Sequence, residues 1–195
     1  MFPDHSLMPR EALRLAALGM LAEAPAAYGD LARDLRAFVS HIMGPSPEAM
    51  GASLELLRYE GLVEQCEDGG VGKLTITAKG RAELDGLMQA TVRAPFNDLN
   101  KLVVALKMRF LPQLPPAAQR DQAALLAEAC RAELARLIGL CNQQAAAKGS
   151  AFADWLDHDI AQAEERLAWF ERLGVKLGAL PGDAPPPQAP TPQAR

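Results

Sequence analysis

Aromatic residues are scarce in this 195-residue chain, 5% of the total against an apolar share of 49%. With alanine abundant, that balance favours packed helices over a β-sandwich. Cysteine is scarcer still. The three present, Cys66, Cys130 and Cys141, show no metal-ligand spacing, and an odd number suits a reduced cytosolic chain. Cys130 and Cys141 fall on one helix face and are read as packing residues. No apolar run approaches the ~20 residues of a membrane span, and no basic-then-apolar leader is seen, so the chain is expected to be cytoplasmic with no membrane partner. A basic excess is missing as well. Twenty Lys and Arg against 24 Asp and Glu leave a net charge of −4, and residues 1–90 hold 8 of the cations and 13 of the acids. Bulk charge therefore does not announce nucleic-acid binding. Nor is there a glycine-rich phosphate loop, a His-x-x-x-His pair or a nucleophile elbow, so neither an enzyme nor a cofactor is expected. Asp154 and His158 lie one helical turn apart and could hold a metal. Together with Asp157 and Asp159 they are read instead as a solvated face near a helix N-terminus.

What the chain does have is a central stretch from Gly44 to Val63, G-P-S-P-E-A-M-G-A-S-L-E-L-L-R-Y-E-G-L-V. Ser46 suits the N-cap, Pro47 the first helical position and Glu48 the positive first turn. Met50, Leu54, Leu57 and Gly61 recur at helical spacing, and Gly61 ends the helix. The other face carries Glu48, Gly51, Ala52, Glu55 and Tyr59. A helix anchored by one side and presenting the other behaves like the second helix of a helix-turn-helix.

On either side the pattern is regular. Leu13, Ala16, Ala17, Met20 and Leu21 predict a helix over 9–23, stopped by Ala24-Pro25. Leu31, Leu35, Phe38, Val39 and Ile42 predict a second over 27–42, with Arg33 and Arg36 facing outward. Leu62–Gln65 and Lys73–Ile76 form a hairpin around E-D-G-G-V-G. Thr77 caps a helix through Met88, and the apolar pattern resumes after Pro95 with Phe96, Leu99, Leu102, Val103, Leu106 and Phe110. After the connector L-P-Q-L-P-P, a long helix over 117–147 carries Leu126, Cys130, Leu134, Leu137 and Cys141. A last helix, capped by Ser150, carries Phe152, Leu156, Ile160, Ala163, Leu167 and Phe170. From Pro181 the chain is proline-rich without an apolar pattern, which predicts a disordered tail.

Four stretches, in this order and spacing, resemble the PadR family of winged-helix transcriptional regulators. Ala12–Pro25 is similar to the family's first helix and turn, and Tyr28-Gly29-Asp30-Leu31 to the start of its second. Pro45–Val63 is similar to its recognition helix, and L-T-I-T-A-K-G-R-A-E-L (Leu74–Leu84) to its second wing strand and fourth helix. Where the family often has Tyr-Pro in the recognition helix, this chain has Gly51-Ala52. The resemblance implies a mainly α fold: an N-terminal winged helix-turn-helix with a small two-stranded wing, plus a C-terminal helical dimerisation domain. The division expected is a DNA-binding domain over 1–88, a dimerisation and effector domain over 89–180, and the tail over 181–195.

It also implies double-stranded DNA and a second copy of the chain as partners, with room for a small aromatic effector. The DNA-facing set is then Ser46, Glu48, Gly51, Ala52 and Glu55, with no Arg or Lys for guanine. Phosphate contacts would fall to Arg33, Arg36 and Lys73, aided by Arg10 and Arg14. Leu99, Leu102, Leu106, Leu156, Ile160, Leu167 and Phe170 are the dimerisation candidates, and Phe152, Trp155 and Trp169 the candidate effector pocket. The expected function is a homodimeric repressor on a palindromic operator. The acidic N-terminal half favours a rival: a winged-helix interaction module that has lost DNA binding.

Overall fold

The computed structural model describes residues 7–44, 50–68, 71–92, 94–143 and 150–178. Helix α1, Pro9–Glu23, starts where Pro9 fits the first turn and where the Glu11 side chain accepts from the Met8 backbone N–H at 2.7 Å. A two-residue strand, β1 (Ala26–Ala27), leads into α2 (Tyr28–Met43), and α3 covers Met50–Tyr59. The wing strands are β2 (Val63–Asp68) and β3 (Val71–Ile76). Thr77 then caps α4 (Ala78–Gln89), its hydroxyl accepting from the Gly80 N–H at 3.0 Å. Asn97 caps α5 (Asp98–Phe110) in the same way, and a 3-10 turn at Leu111–Gln113 precedes α6 (Pro116–Gln143). Ser150 caps α7 (Ala151–Gly178), accepting from Ala153 N at 3.2 Å. The expected cap of α3 at Ser46, the last turn of the long helix up to 147 and the tail over 181–195 all lie outside the described residues.

The sheet has three strands rather than the expected two. Its order is β1-β3-β2, all antiparallel, with Ala26 opposite Leu74 and Ala27 opposite Lys73. Two alanines after Ala24-Pro25 carry no alternating pattern. They enter the sheet because α1 ends beside the free edge of β3, whose backbone groups need partners. β2 and β3 pair from Val63↔Ile76 to Asp68↔Val71. Helices α1 to α4 with this sheet make a winged helix-turn-helix.

Two glycines allow the close contacts. Gly61 has φ +70°, and its N–H reaches Arg58 O at 3.0 Å while Leu62 N–H reaches Leu57 O at 2.9 Å. That pair of bonds closes α3 and turns the chain straight into β2. At Gly19 the missing side chain matters more. A Cβ built there would overlap the Phe110 ring, so α5 rests directly on the backbone of α1. Phe110 is completely buried, and Gln113 adds a bond to Gly19 O at 3.1 Å.

Helix α1 is the centre of the core. Ala12, Leu15, Ala16 and Leu18 are each 0% exposed. α2, α3, α4 and α5 all pack on it. One continuous cluster runs from Leu7 through Leu102 and Leu106 to Phe170 and Leu177. α6 and α7 pair as a long hairpin beside it.

Among the described residues, three polar side chains are buried in this apolar surround: Lys107, Gln122 and Glu133. Arg136 reaches Glu133 through two bonds of 2.8 Å and holds its carboxyl below the usual range. Lys107 Nζ donates to Met88 O near the end of α4 and, at 2.9 Å, to Gln122 Oε1 on α6. It thus joins α4, α5 and α6 through one ammonium group. Burial pushes Lys107 down from 10.5 to about 8.

In an ordinary helix interior, Gly19→Ala would stabilise by about 1 kcal/mol. Here the added methyl meets a buried ring, and urea melts should show a loss of about 2 kcal/mol instead; a gain in stability would mean that Phe110 does not rest on Gly19. For Lys107, the folded state releases its proton near pH 8 and the unfolded chain near 10.5. Across that window unfolding takes up a proton, so the group's contribution to stability rises with pH and is least favourable below 8. Relative to Lys107→Met, the wild type should gain about 2 kcal/mol between pH 7.5 and 10. A difference that stays flat with pH would contradict the burial of this ammonium.

Candidate nucleic-acid interface

Leu54 and Leu57, 2% and 1% exposed, anchor α3 to the core. Glu55, Arg58 and Tyr59 stand on its opposite side in solvent, Tyr59 at 90% exposure. Spacings of three and four place all three on one face. Gly51 and Ala52 lie in the first described turn of α3, while Ser46 and Glu48 lie outside the described residues. Arg58 is missing from the sequence-derived set, although its position three after Glu55 was the available signal. It approaches Glu55 at 3.9 Å, the outer limit of an ion pair.

The cations named from the sequence divide into different situations. Arg14 is not available for phosphate. It bonds Glu60, at the end of α3, at 2.8 Å and Glu83, on α4, at 3.0 Å. Burial works against its charge, but the two carboxylates outweigh that and raise the guanidinium above its ordinary range. This arginine braces α3 against α1 and α4. Arg33 is exposed on α2 yet flanked by acids, Asp30 at 2.8 Å and Asp34 at 3.4 Å. The hydrogen bond to Asp30 raises it first, with both carboxylates adding to the effect. Arg10 and Arg36 are exposed. Lys73 sits half-buried on β3 between Ala27 and Cys66 of the neighbouring strands. Lys79 and Arg81, exposed at the start of α4, were not singled out from the sequence. Lys79 Nζ donates to Glu60 O at 2.8 Å.

The C-terminal candidates are placed differently from expectation. Leu102, Leu106, Leu156 and Phe170 are 3% exposed or less and are covered within the single chain. Leu99 and Leu167 are partly buried against the same core, and Ile160 is partly buried on α7. The large apolar side chains left in solvent here are chiefly Phe152, Trp155, Trp169, Ile138 and Val175. Phe152 and Trp155 stack at 5.7 Å, and Trp169 meets Phe170 edge-on at 4.9 Å. The helix rise sets Phe152 and Trp169 about 26 Å apart. These aromatics therefore do not line one pocket within a chain. Trp169 instead borders an open groove of about 560 Å³ between α5 and α7, with Val104, Gln162, Glu165, Arg166 and Phe170. Among the described residues no cluster of three or more His, Cys, Asp or Glu is placed to hold a metal. No described helix is long and apolar enough to cross a membrane.

Among solved structures the chain is similar to Bacillus subtilis PadR, with 18% identity over 89% of this chain and 98% of that one, at a TM-score of 0.39. It is also similar to Bacillus subtilis PadR in complex with operator DNA, with 18% identity over 85% and 98%, at 0.36. A PadR-like transcriptional regulator from Bacillus cereus gives 20% identity over 86% and 98%, also at 0.36. No curated protein matches the chain. Residues 2–174 match the family model described as "Putative AphA-like transcriptional regulator", and the chain belongs to that family, one of transcriptional regulators rather than enzymes.

Proposed function

We propose that this chain is a DNA-binding regulator of PadR type, acting in the cytoplasm as a homodimeric repressor on a palindromic operator. The observation that carries the reading is α3 itself: Leu54 and Leu57 hold one side in the core, and the other stands free beside the wing. Two such helices related by a two-fold axis would enter successive major grooves. Residues 1–88 would bind DNA, residues 89–180 would hold the dimer, and residues 181–195 would form a dispensable tail. A small aromatic effector would release the operator by changing the separation of the two recognition helices.

A second reading has its own support. Arg14 is engaged by Glu60 and Glu83, and Arg33 by Asp30 and Asp34, so the surface near α3 is less cationic than its arginine count suggests. An interaction module with a winged-helix shape would have that character. DNA-binding assays at several salt concentrations separate the two readings. Under the regulator reading the protein shifts the promoter beside its own gene, and Arg36→Ala weakens binding on every duplex. The slope of log K against log salt should then fall by about one unit. Arg33→Ala should have the smaller effect, because Asp30 and Asp34 already share its charge. Absence of DNA affinity at low salt would leave the interaction module as the better account.

A further inference from the structure

Glu60 is the point at which helix α3 is tied to its neighbours by directed bonds. Its backbone still rides on α3, because its N–H reaches Leu56 O at 2.9 Å. Its side chain takes Arg14 of α1 at 2.8 Å, and its carbonyl takes Lys79 Nζ of α4, also at 2.8 Å. That carbonyl lies just past the last turn of α3, where carbonyls lack partners inside the helix and a cation meets the negative end of its dipole. Arg14 is fixed in its turn. It leaves α1 beside Leu15, which is fully buried, and Glu83 of α4 holds it at 3.0 Å. The residues after Glu60 are held as closely. Thr77 Oγ1 donates to Gly61 O at 2.8 Å, and a Cβ built at Gly80 would overlap Leu62 O, so the first turn of α4 sits on the backbone that follows α3.

We propose that Glu60 is the positioning residue of α3: held by Arg14 and Lys79, it sets the angle at which Glu55, Arg58 and Tyr59 meet a duplex, and so governs discrimination between sequences rather than affinity. This rests on the regulator reading above and assigns the aiming of α3 to α1 and α4. Leu54 and Leu57 hold the helix on its other side. Apolar burial is non-directional, however, and resists a small roll of the helix less than its withdrawal. Hydrogen bonds have direction. Side chains reach about 6 Å from a helix axis, so a roll of about 10° moves their tips by about 1 Å, beyond the ~0.5 Å range of a good hydrogen bond to a base edge. The bonds at Glu60 oppose that roll, one from α1 and one from α4. They are poorly suited to stability. The side chains of Arg14, Glu60 and Glu83 are 20%, 31% and 38% exposed, and ion pairs so solvated contribute little. Nor does Arg14 suit a phosphate, since two carboxylates already take it. Direction is the use that remains.

Paired DNA-binding measurements on the full chain test the role. The probes are the duplex that the wild type enriches from a random-sequence pool and a shuffled duplex of the same length and composition. Three variants are compared: Arg14→Met with Glu60→Gln, which together leave the net charge unchanged, Arg14→Lys, and Lys79→Met. The double variant should lower the ratio of the two affinities roughly tenfold, about the value of one lost base contact, with affinity and salt slope on the shuffled duplex unchanged. Arg14→Lys, which keeps the charge, should keep most of the ratio. Lys79→Met, at an exposed position, should lower it as well, which guards against the double variant failing to fold. Equal losses on both duplexes, with a salt slope shallower by about one unit, would mark these cations as phosphate contacts and overturn the role. A preference that survives both the double variant and Lys79→Met overturns it too and leaves the regulator reading standing. A wild type that enriches no duplex at low salt overturns the regulator reading and this role with it.

Discussion

Phe110 pressed onto Gly19 is the contact on which the arrangement of this protein depends. It places α5 against the backbone of α1, and α1 is the helix on which α2, α3 and α4 of the winged-helix part also pack. Arg109 reinforces the junction from the adjacent position. It bonds Glu23 at 2.8 Å and lies 5.2 Å from the Phe38 ring, so α1, α2 and α5 meet at one guanidinium. Burial of the leucines along α1 is worth roughly 2 kcal/mol each, and the same side chains serve both halves of the chain. Helix α3 hangs from this core by Leu54 and Leu57, with Arg14 bracing its end through Glu60. A displacement of α5 must therefore be felt at α3, because close-packed interiors transmit strain rather than absorb it. In the regulator proposed above, that continuity would be the route by which the C-terminal helices act on α3.

Charge works differently from shape. The structure directs several arginines inward or sideways, to Glu60, Glu83, Asp30 and Glu23, where they join elements or pair along one helix. Lys107 is the extreme case, an ammonium that closes the C-terminal end of α4 from inside the core. Such groups contribute little to a long-range field, consistent with the net charge of −4. In the regulator proposed above, affinity for DNA would then rest on a few exposed cations around α3.

Much of the fold was legible in the sequence, for reasons that differ by element. α1, α2, α4 and the end of α3 follow from helical periodicity and from local signals: Ala24-Pro25, Thr77 and Gly61 each mark the boundary the structure shows. Strand β1 was not legible, since two alanines have no period and pair only because β3 offers an edge. The apolar stripes of α5 and α7 were read as surface awaiting a partner copy. Leu102, Leu106, Leu156 and Phe170 find their partners within the chain. Periodicity identifies a face to be covered but not which helix covers it. Lys107 was invisible for a related reason: a lysine inside an apolar stripe reads as the edge of that stripe until Gln122 and Met88 O are brought to it by tertiary packing. Ion pairs between distant residues, such as Arg14 with Glu83, are outside the reach of local pattern altogether.

Native-state hydrogen exchange tests most directly whether α1 and α5 belong to one cooperative core. Amides of Leu15 and Leu18 in α1 and of Leu102 and Leu106 in α5 should exchange through the same global opening, with equal free energies and equal denaturant dependence. Exchange of the α5 amides through a separate opening of lower energy, with α1 still protected, would contradict the account. The C-terminal helices would then be a body apart, without a packed route to α3.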